Sequence, residues 1–218
     1  VCMIRLSGSK NPILKEARSL KNKSARNEKG LYFIEGARFV EEALKENIDI
    51  NYIILSDAFV SAGESEEMLA KIKQLSCNCY IVSDSLFDTV SDTLNPQGVM
   101  AVLKQERKPL ESARLSGGML IILDSVRDPG NMGTIIRTSD AAGCAGVIVP
   151  DGCVDIYNPK VLRATMGSVF HVPIYHCVDI SEALKICKER GFLLCASYLD
   201  GSVSIYETDL SGNIALVI

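Results

Sequence analysis

The stretch from residue 123 to residue 143, LDSVRDPGNMGTIIRTSDAAG, constrains the fold and chemistry of this chain more than any other. It overlaps a short apolar run, Met119–Leu123, which predicts a buried strand. Asp128 followed by Pro129 predicts a helix start, because a short acceptor side chain caps backbone N–H groups and proline suits the first helical position. Gly143 is typical of a helix end. The stretch therefore predicts a strand–loop–helix unit, at whose mouth open α/β sheets bind ligands.

Three residues of this helix are candidates for chemistry: Asn131, Gly133 and Arg137. Gly133 and Arg137 lie one turn apart, on a face adjoining the apolar stripe, so we expect open space in front of the arginine. Two simpler interpretations stay open on the residues alone. Asn131 and Gly133 could serve only the turn, and Arg137 could pair with Asp140 three residues later.

Strand-like apolar runs alternate with helical patterns along the whole chain, which predicts an α/β protein. The first half predicts strands at 31–34, 52–55, 80–82 and 99–103, with helices at about 12–25, 37–46, 65–75 and 84–90. The second half predicts strands at 119–123, 146–149, 192–196 and 214–218, in a parallel sheet with helices on both faces. A polar, glycine-ended segment between the halves predicts a linker. We expect domains at 1–106 and 118–218, joined by a linker at 107–117.

The composition is typical of a soluble globular protein, with 47% hydrophobic and 23% charged residues. No apolar run reaches the length of a membrane span, and the first residues lack the apolar core of a secretory signal. The eight cysteines are scattered and fit buried thiols better than disulfides or a zinc site. We therefore expect a cytoplasmic protein with no bound metal and no membrane partner.

Basic residues are concentrated at the start of a chain whose net charge is −4. Residues 1–30 contain eight lysines and arginines but only two glutamates. Such a stretch can bind phosphates even in an acidic protein, because salt screening confines its field to about 10 Å. The alternative is a solvated, lysine-rich helix face.

The spacing Asn131-x-Gly133-x-x-x-Arg137-Thr138 closely resembles the first motif of the SpoU branch of the SPOUT RNA methyltransferases. The segment 158–168, NPKVLRATMGS, is similar to a stretch further along the same catalytic domain. The first half also resembles the substrate-binding domain that precedes SpoU catalytic domains and is itself like a ribosomal RNA-binding protein. That likeness rests on the segments RSLKNKSAR (18–26), GLYFIEG (30–36) and NPQGVMA (95–101).

The resemblance implies methylation of a ribose 2′-hydroxyl in RNA with S-adenosylmethionine as the methyl donor. It favours ribosomal RNA as the substrate, with transfer RNA as the alternative. It also implies a homodimer and an α/β fold that ends in a knot. Arg137 matches the catalytic arginine and Asn131 would orient the ribose or brace Arg137. The residues expected to bind the substrate are Gly133, Thr138, Lys160, Arg163, Arg18, Lys21, Lys23 and Arg26. For Lys160 and Arg163, a solvated basic face is an equally open interpretation.

The chain departs from the family pattern at its last strand. SpoU enzymes continue past the equivalent of Asn213–Ile218 into an acidic glycine-rich loop and a serine–asparagine helix, which hold the cofactor and complete the knot. Here the sequence stops at Ile218. We therefore expect the cofactor-binding residues to follow Ile218 and the catalytic domain to be incomplete without them, which leaves its activity open. The alternative is a protein that cannot bind S-adenosylmethionine in the family manner.

Two other classes of function compete with this interpretation. A dinucleotide-binding oxidoreductase is excluded because no G-x-G-x-x-G follows a strand. A non-catalytic RNA-binding protein stays open, since it retains the basic stretch, but it leaves Asn131 and Arg137 without a purpose.

Overall fold

The computed structural model describes residues 3–62, 66–113, 115, 117–198, 203–204 and 206–218. The chain divides into two compact units. The first unit contains residues 1–105 and a later segment, Tyr157–Arg163. The second contains residues 106–156 and 164–218.

The first unit is built on a five-stranded mixed sheet in the order β1-β4-β3-β5-β2. Strands β1, β4 and β3 pair in parallel, and β5 runs antiparallel to its neighbours β3 and β2. Its elements in chain order are β1 (Met3–Arg5), α1 (Pro12–Ser19), α2 (Lys23–Lys29), β2 (Leu31–Glu35), α3 (Ala37–Lys45), β3 (Ile50–Ser56), α4 (Asp57–Ser61), α5 (Glu66–Gln74), β4 (Asn78–Val82), α6 (Asp84–Val90) and β5 (Val99–Lys104).

The helices of the first unit bury one stripe each against the sheet. Helix α1 buries Leu14 and Ala17, which lie three residues apart and share a face. These side chains join a cluster with Phe33, Ile54 and Phe87. This arrangement leaves the carboxyl ends of β2, β3 and β4 at one edge of the sheet, beside the amino end of β5.

The expected strands of the first unit are confirmed within a few residues, but three features differ from the sequence prediction. The predicted helix at 12–25 is two helices, because Asn22 has extended backbone angles (φ −93°, ψ 133°). Strand β1 and the short helix α4 were not predicted. A three-residue strand and a five-residue helix are too short to show a hydrophobic period.

The second unit contains a six-stranded sheet in the order β10-β11-β7-β8-β9-β6, and every pairing in it is parallel. Its elements in chain order are β6 (Lys108–Pro109), β7 (Met119–Ile122), α7 (Pro129–Ala141), β8 (Gly146–Pro150), β9 (Ile174–Cys177), α9 (Ile180–Glu189), β10 (Leu193–Ala196) and β11 (Ile214–Val217). Helix α8 (Pro159–Thr165) follows β8 in the chain, but its residues up to Arg163 cluster with the first unit.

Both faces of the parallel sheet are covered, as the sequence predicted. Leu120 and Ile122 of β7 share a buried cluster with Ala183 and Cys187 of α9. Ile121 lies between them on the strand and therefore faces the opposite side of the sheet, where it is only 5% exposed. The apolar strands of this unit are thus buried on two sides, which explains their continuous hydrophobic runs.

The segment expected to be a linker, 107–117, contributes to the second unit. It contains β6, which pairs with β9, and a 3-10 turn at Leu110–Ser112. Leu110 is fully buried within the same cluster as β7 and α9. Strand β9 was also missed, because Tyr175 and His176 interrupt its apolar run.

The composition also predicts free thiols and no membrane span. The described cysteines are free thiols, while Cys2 lies outside the described residues. Within the described ranges, no helix has the length and apolar character required to cross a bilayer.

Candidate active site

Helix α7 begins where the sequence predicted, and its first turn is fixed by a side-chain cap. The Asp128 carboxylate accepts a hydrogen bond from the backbone N–H of Asn131 at 2.8 Å, and Pro129 occupies the first turn. Acceptors of this kind satisfy the unpaired N–H groups of a helix start. The position of Asn131 in the first turn of α7 is therefore held through its backbone rather than by its own side chain.

The two sides of α7 have different surroundings. Met132 and Ile136 are fully buried and anchor the helix to the second unit. Asn131, Arg137 and Thr138 are exposed on the other side. Within the described part of the chain, the Arg137 side chain makes no hydrogen bond and no ion pair. The guanidinium therefore has the open space that the spacing predicted.

Gly133 is buried, in contrast to the other candidates on α7. The resemblance implied that Gly133 binds the substrate, but the protein itself covers this position. Its burial is not consistent with a direct contact between Gly133 and RNA.

Asp140, the alternative partner for Arg137, is engaged elsewhere. Its Oδ2 lies 2.9 Å from Nδ1 of His171. Partial burial raises the pKa of the Asp140 carboxyl, but hydrogen bonds from Ser168 and His171, together with the His171 charge, outweigh this effect and hold the pKa below its ordinary value. The Asp140 carboxylate thus stabilises the turn at Ser168–Phe170 and leaves Arg137 available.

The loops that follow β7 and β8 are joined directly beside α7. The backbone N–H of Val154 donates to the carbonyl oxygen of Val126 at 2.8 Å. Asp124 at the end of β7 donates its N–H to the carbonyl of Ile218 at 2.8 Å. Ser125 between them has a positive φ of 55°, which side-chain-bearing residues seldom adopt. The strand ends therefore converge on a loop with a defined, strained conformation in front of α7.

The two basic candidates on α8 have different environments in the first unit. Arg163 forms an ion pair with Asp92, with Nη1 2.9 Å from Oδ2. Lys160 is exposed, and its side chain makes no bond within the described ranges. The ring of Tyr157 packs on Tyr32 with centroids 4.4 Å apart, which fixes the segment that carries both residues. Lys160 is thus available to a phosphate, whereas Arg163 is held by a carboxylate.

The four basic candidates near the start of the chain also differ in burial and in their hydrogen bonds. Arg26 is 1% exposed, and its Nη1 donates to the carbonyl oxygens of Leu20 and Lys21, each at 2.9 Å. Its burial corrects the expectation that Arg26 binds RNA, because the guanidinium caps the end of α1 instead.

Arg18 and Lys21 are likewise used within the protein. The guanidinium of Arg18 donates to the carbonyls of Leu14 and Ser9, and Nζ of Lys21 donates to the carbonyl of Ser91. Lys23 is exposed, with no bond to its side chain among the described residues. Of the four, Lys23 is the best placed for RNA.

Sequence reasoning overlooked two residues near the candidate site. Thr134 is exposed one turn before Thr138 and lies between Asn131 and Arg137 on the helix surface. His171 carries no sequence signal for a site, although it positions the Asp140 carboxylate. A helical wheel would have found Thr134, whereas the pairing of His171 depends on tertiary structure.

Comparison with known proteins shows the family to which this chain belongs. Residues 118–218 match the SpoU rRNA Methylase family, and residues 11–101 match the MRM3-like substrate binding domain. The chain is 31% identical over 216 residues to 23S rRNA (guanosine(2553)-2'-O)-methyltransferase RlmP of Bacillus subtilis, covering 99% of this chain and 82% of that protein. The chain belongs to the SpoU rRNA methylase family.

Other known proteins extend the comparison. An AdoMet-bound rRNA methyltransferase structure from Sinorhizobium meliloti is 31% identical with a TM-score of 0.87, covering 99% of this chain and 80% of that one. The human protein named rRNA methyltransferase 3, mitochondrial, is 34% identical over 165 residues, covering 73% of this chain and 38% of that protein. The likeness to the Sinorhizobium meliloti structure thus covers both units of this chain, whereas the SpoU rRNA Methylase family matches residues 118–218.

Proposed function

We propose that this chain methylates a ribose 2′-hydroxyl in ribosomal RNA and uses S-adenosylmethionine as the methyl donor. The observation that carries this proposal is the exposed guanidinium of Arg137, which has no partner among the described residues. It lies on one side of a helix that begins at the mouth of a parallel sheet. Support comes from membership of the SpoU family and from relatives whose names specify ribosomal RNA and the 2′-oxygen.

Arg137 would act by stabilising negative charge rather than as a general base. A guanidinium keeps its protons at ordinary pH, so it cannot accept the proton of a ribose hydroxyl. It can grip the phosphate next to the target ribose through two parallel N–H bonds and stabilise the developing alkoxide. The adjacent phosphate oxygen or a water molecule would then take the proton.

Asn131 and Thr138 would orient the substrate on either side of Arg137. The Asn131 side chain is exposed, while its backbone N–H is held by Asp128. Its amide can therefore donate to and accept from ribose oxygens without disturbing the helix start. The Thr138 hydroxyl follows Arg137 directly and can bind a phosphate oxygen.

S-adenosylmethionine, when bound, supplies a methyl group activated by its sulfonium. Among the described residues, only one edge of the parallel sheet fits such a group. There, the carboxyl ends of β7 and β11 are joined by the Asp124 to Ile218 hydrogen bond, beside the loop before α7. Parallel sheets bind nucleotides at this edge. We assign no cofactor contact to a described side chain.

For substrate contacts outside α7, we propose Lys23 and Lys160, whose ammonium groups are exposed. Arg18, Lys21 and Arg163 would act indirectly, because their hydrogen bonds hold the surrounding backbone and Asp92 in place. We also propose that the protein works as a homodimer in the cytoplasm, which is supported by the family resemblance and by the free thiols.

The test is transfer of labelled methyl groups from S-adenosylmethionine to ribosomal RNA by the full-length protein. The proposal predicts alkali-resistant, 2′-O-methylated nucleotides from ribosomal RNA and little label in transfer RNA. Preferential labelling of transfer RNA would change the proposed substrate but leave the proposed reaction unchanged. Tight RNA binding with no transferred label would instead favour the non-catalytic RNA-binding protein.

A further inference from the structure

The first unit contains a cavity of about 590 Å³ at the edge where the carboxyl ends of its parallel strands lie. Its walls come from the loops that follow β2, β3 and β4 and from the loop that leads into β5. The residues that line it and carry the argument are Arg38, Phe59, Phe87, Asp88 and Gln97. Ligand pockets in proteins commonly have volumes of about 300–1,000 Å³, so this cavity is large enough for a nucleobase with its ribose.

The walls of the cavity are held together by hydrogen bonds between loops. The N–H of Ala37 donates to Oε1 of Gln97 at 2.8 Å, and the N–H of Ala58 donates to Oδ1 of Asp84 at 2.9 Å. Gly98 allows the closest approach, since a Cβ at this position would lie 2.3 Å from Oγ of Ser56. The cavity is therefore formed before any ligand binds, which reduces the entropy lost on binding.

The cavity combines apolar and polar surfaces. Phe87 is 1% exposed and forms part of the floor, while the partly buried Phe59 and Met68 complete its apolar lining. Arg38 and Asp88 are exposed at the mouth, and neither side chain makes a hydrogen bond or ion pair in the described ranges. Aromatic faces beside unused donors and acceptors are typical of sites that hold unstacked bases.

The charges at the mouth select among possible ligands. A free phosphate or acidic peptide would be repelled by Asp84 and Asp88, while a simple cation would be repelled by Arg38. A nucleobase has a neutral ring that stacks on the aromatic side chains and a phosphate that reaches Arg38. Because a carboxylate only accepts hydrogen bonds, Asp88 favours a base with amino and imino donors on one edge, as guanine has.

From these observations we propose that the cavity binds one unstacked guanine of the RNA substrate, with Phe59 as a stacking surface, Asp88 as the acceptor for the guanine edge and Arg38 on the adjoining phosphate. This inference rests on the proposed function, because it takes RNA to be the substrate. It gives the first unit a sequence-reading role that Arg18, Lys21 and Arg26 cannot supply, since Arg26 is buried and Arg18 and Lys21 bind carbonyl groups.

The proposal is tested by binding of the full chain to short single-stranded oligoribonucleotides that differ at one central base: guanine, inosine or uracil. Inosine lacks the exocyclic amino group of guanine. The protein is expected to bind the guanine oligonucleotide about tenfold more tightly than the other two. Asp88→Asn should remove this preference, while Phe59→Ala should weaken binding to all three oligonucleotides by about tenfold.

Matched variants separate recognition from folding. Glu28→Gln removes an exposed carboxylate on α2, outside the cavity lining, and should leave the preference for guanine unchanged. Phe59→Tyr keeps an aromatic face and should retain most of the affinity. Circular dichroism verifies that each variant is folded.

Two results would overturn the proposal: equal binding of the three oligonucleotides by the wild-type protein, or an unchanged preference in Asp88→Asn. Free guanosine monophosphate, used as a competitor, should bind about tenfold more weakly than the guanine oligonucleotide, because it lacks neighbouring phosphates. Tighter binding of the mononucleotide would identify a small-molecule site and reject RNA. Since these assays measure binding only, a loss of methyl transfer with guanine preference intact would refute the proposed reaction and leave this site standing.

Discussion

Oδ2 of Asp140 lies 2.9 Å from Nδ1 of His171, so the carboxylate one turn after Arg137 is occupied by an imidazole. Within the described residues, Arg137 has no ion-pair partner. A helical arginine next to a carboxylate at i+3 commonly pairs with it. The structure instead directs Asp140 to His171 and Ser168 and leaves a guanidinium exposed at the mouth of the sheet.

The Asp140 contacts predict a specific pH dependence of stability. The pKa of this carboxyl in the folded protein is below its ordinary value of 3.8, so ionised Asp140 stabilises the fold above that pH, and the contribution is lost as the pH falls through the folded-state value. The difference in free energy of unfolding between wild type and Asp140→Asn should be greatest near neutral pH and shrink below about pH 4. Urea unfolding at a series of pH values measures it. A difference that grows on acidification would contradict the assignment.

Arg26 and Lys23 are separated by three residues but should respond differently to substitution. Arg26→Met leaves two carbonyl oxygens without their buried donor and should lower the free energy of unfolding by about 2 kcal/mol, with little change in RNA affinity. Lys23→Ala should change the free energy of unfolding by less than about 0.5 kcal/mol. It should weaken RNA binding and reduce the salt dependence of the binding constant. Urea unfolding and salt-dependent binding measure the two effects. Strong RNA-binding loss in folded Arg26→Met would contradict its structural role.

Cys177 is expected to resist alkylation in the folded protein. Burial, followed by the nearby carboxylates of Glu182 and Asp179, raises the pKa of its thiol to about 12. The thiolate is the reactive form, so labelling by iodoacetamide at about pH 8 should be roughly a thousandfold slower in the folded protein than in urea. Mass spectrometry of the Cys177 peptide follows the reaction, and comparable rates in both states would rule out this environment.

Local patterns predicted much of the fold. Asp128 and Pro129 define the start of α7 by capping chemistry that involves neighbouring residues only, and the structure confirms that start. The apolar runs of β7 and β8 were equally clear, because strands buried on both faces are continuously hydrophobic.

Tertiary contacts determined what the sequence could not predict. Leu110 looked like part of a polar linker, yet it is fully buried by the fold around it. Arg26 belonged to a basic stretch and looked solvent-facing, but the end of α1 supplied carbonyl groups that only the folded chain brings to it. Roles in catalysis and RNA binding stay predictions for every candidate side chain.

The most direct measurement of the central claim is the rate of methyl transfer from S-adenosylmethionine to ribosomal RNA by full-length wild type, Arg137→Ala and Arg137→Lys. Arg107→Ala, which removes another exposed arginine of the second unit, serves as the control. Arg137→Ala should lower the rate by about a hundredfold to a thousandfold, with fold and RNA affinity preserved. Arg137→Lys should recover only part of the activity, because lysine keeps the charge but lacks the bidentate fork. A wild-type rate in folded Arg137→Ala would contradict the account.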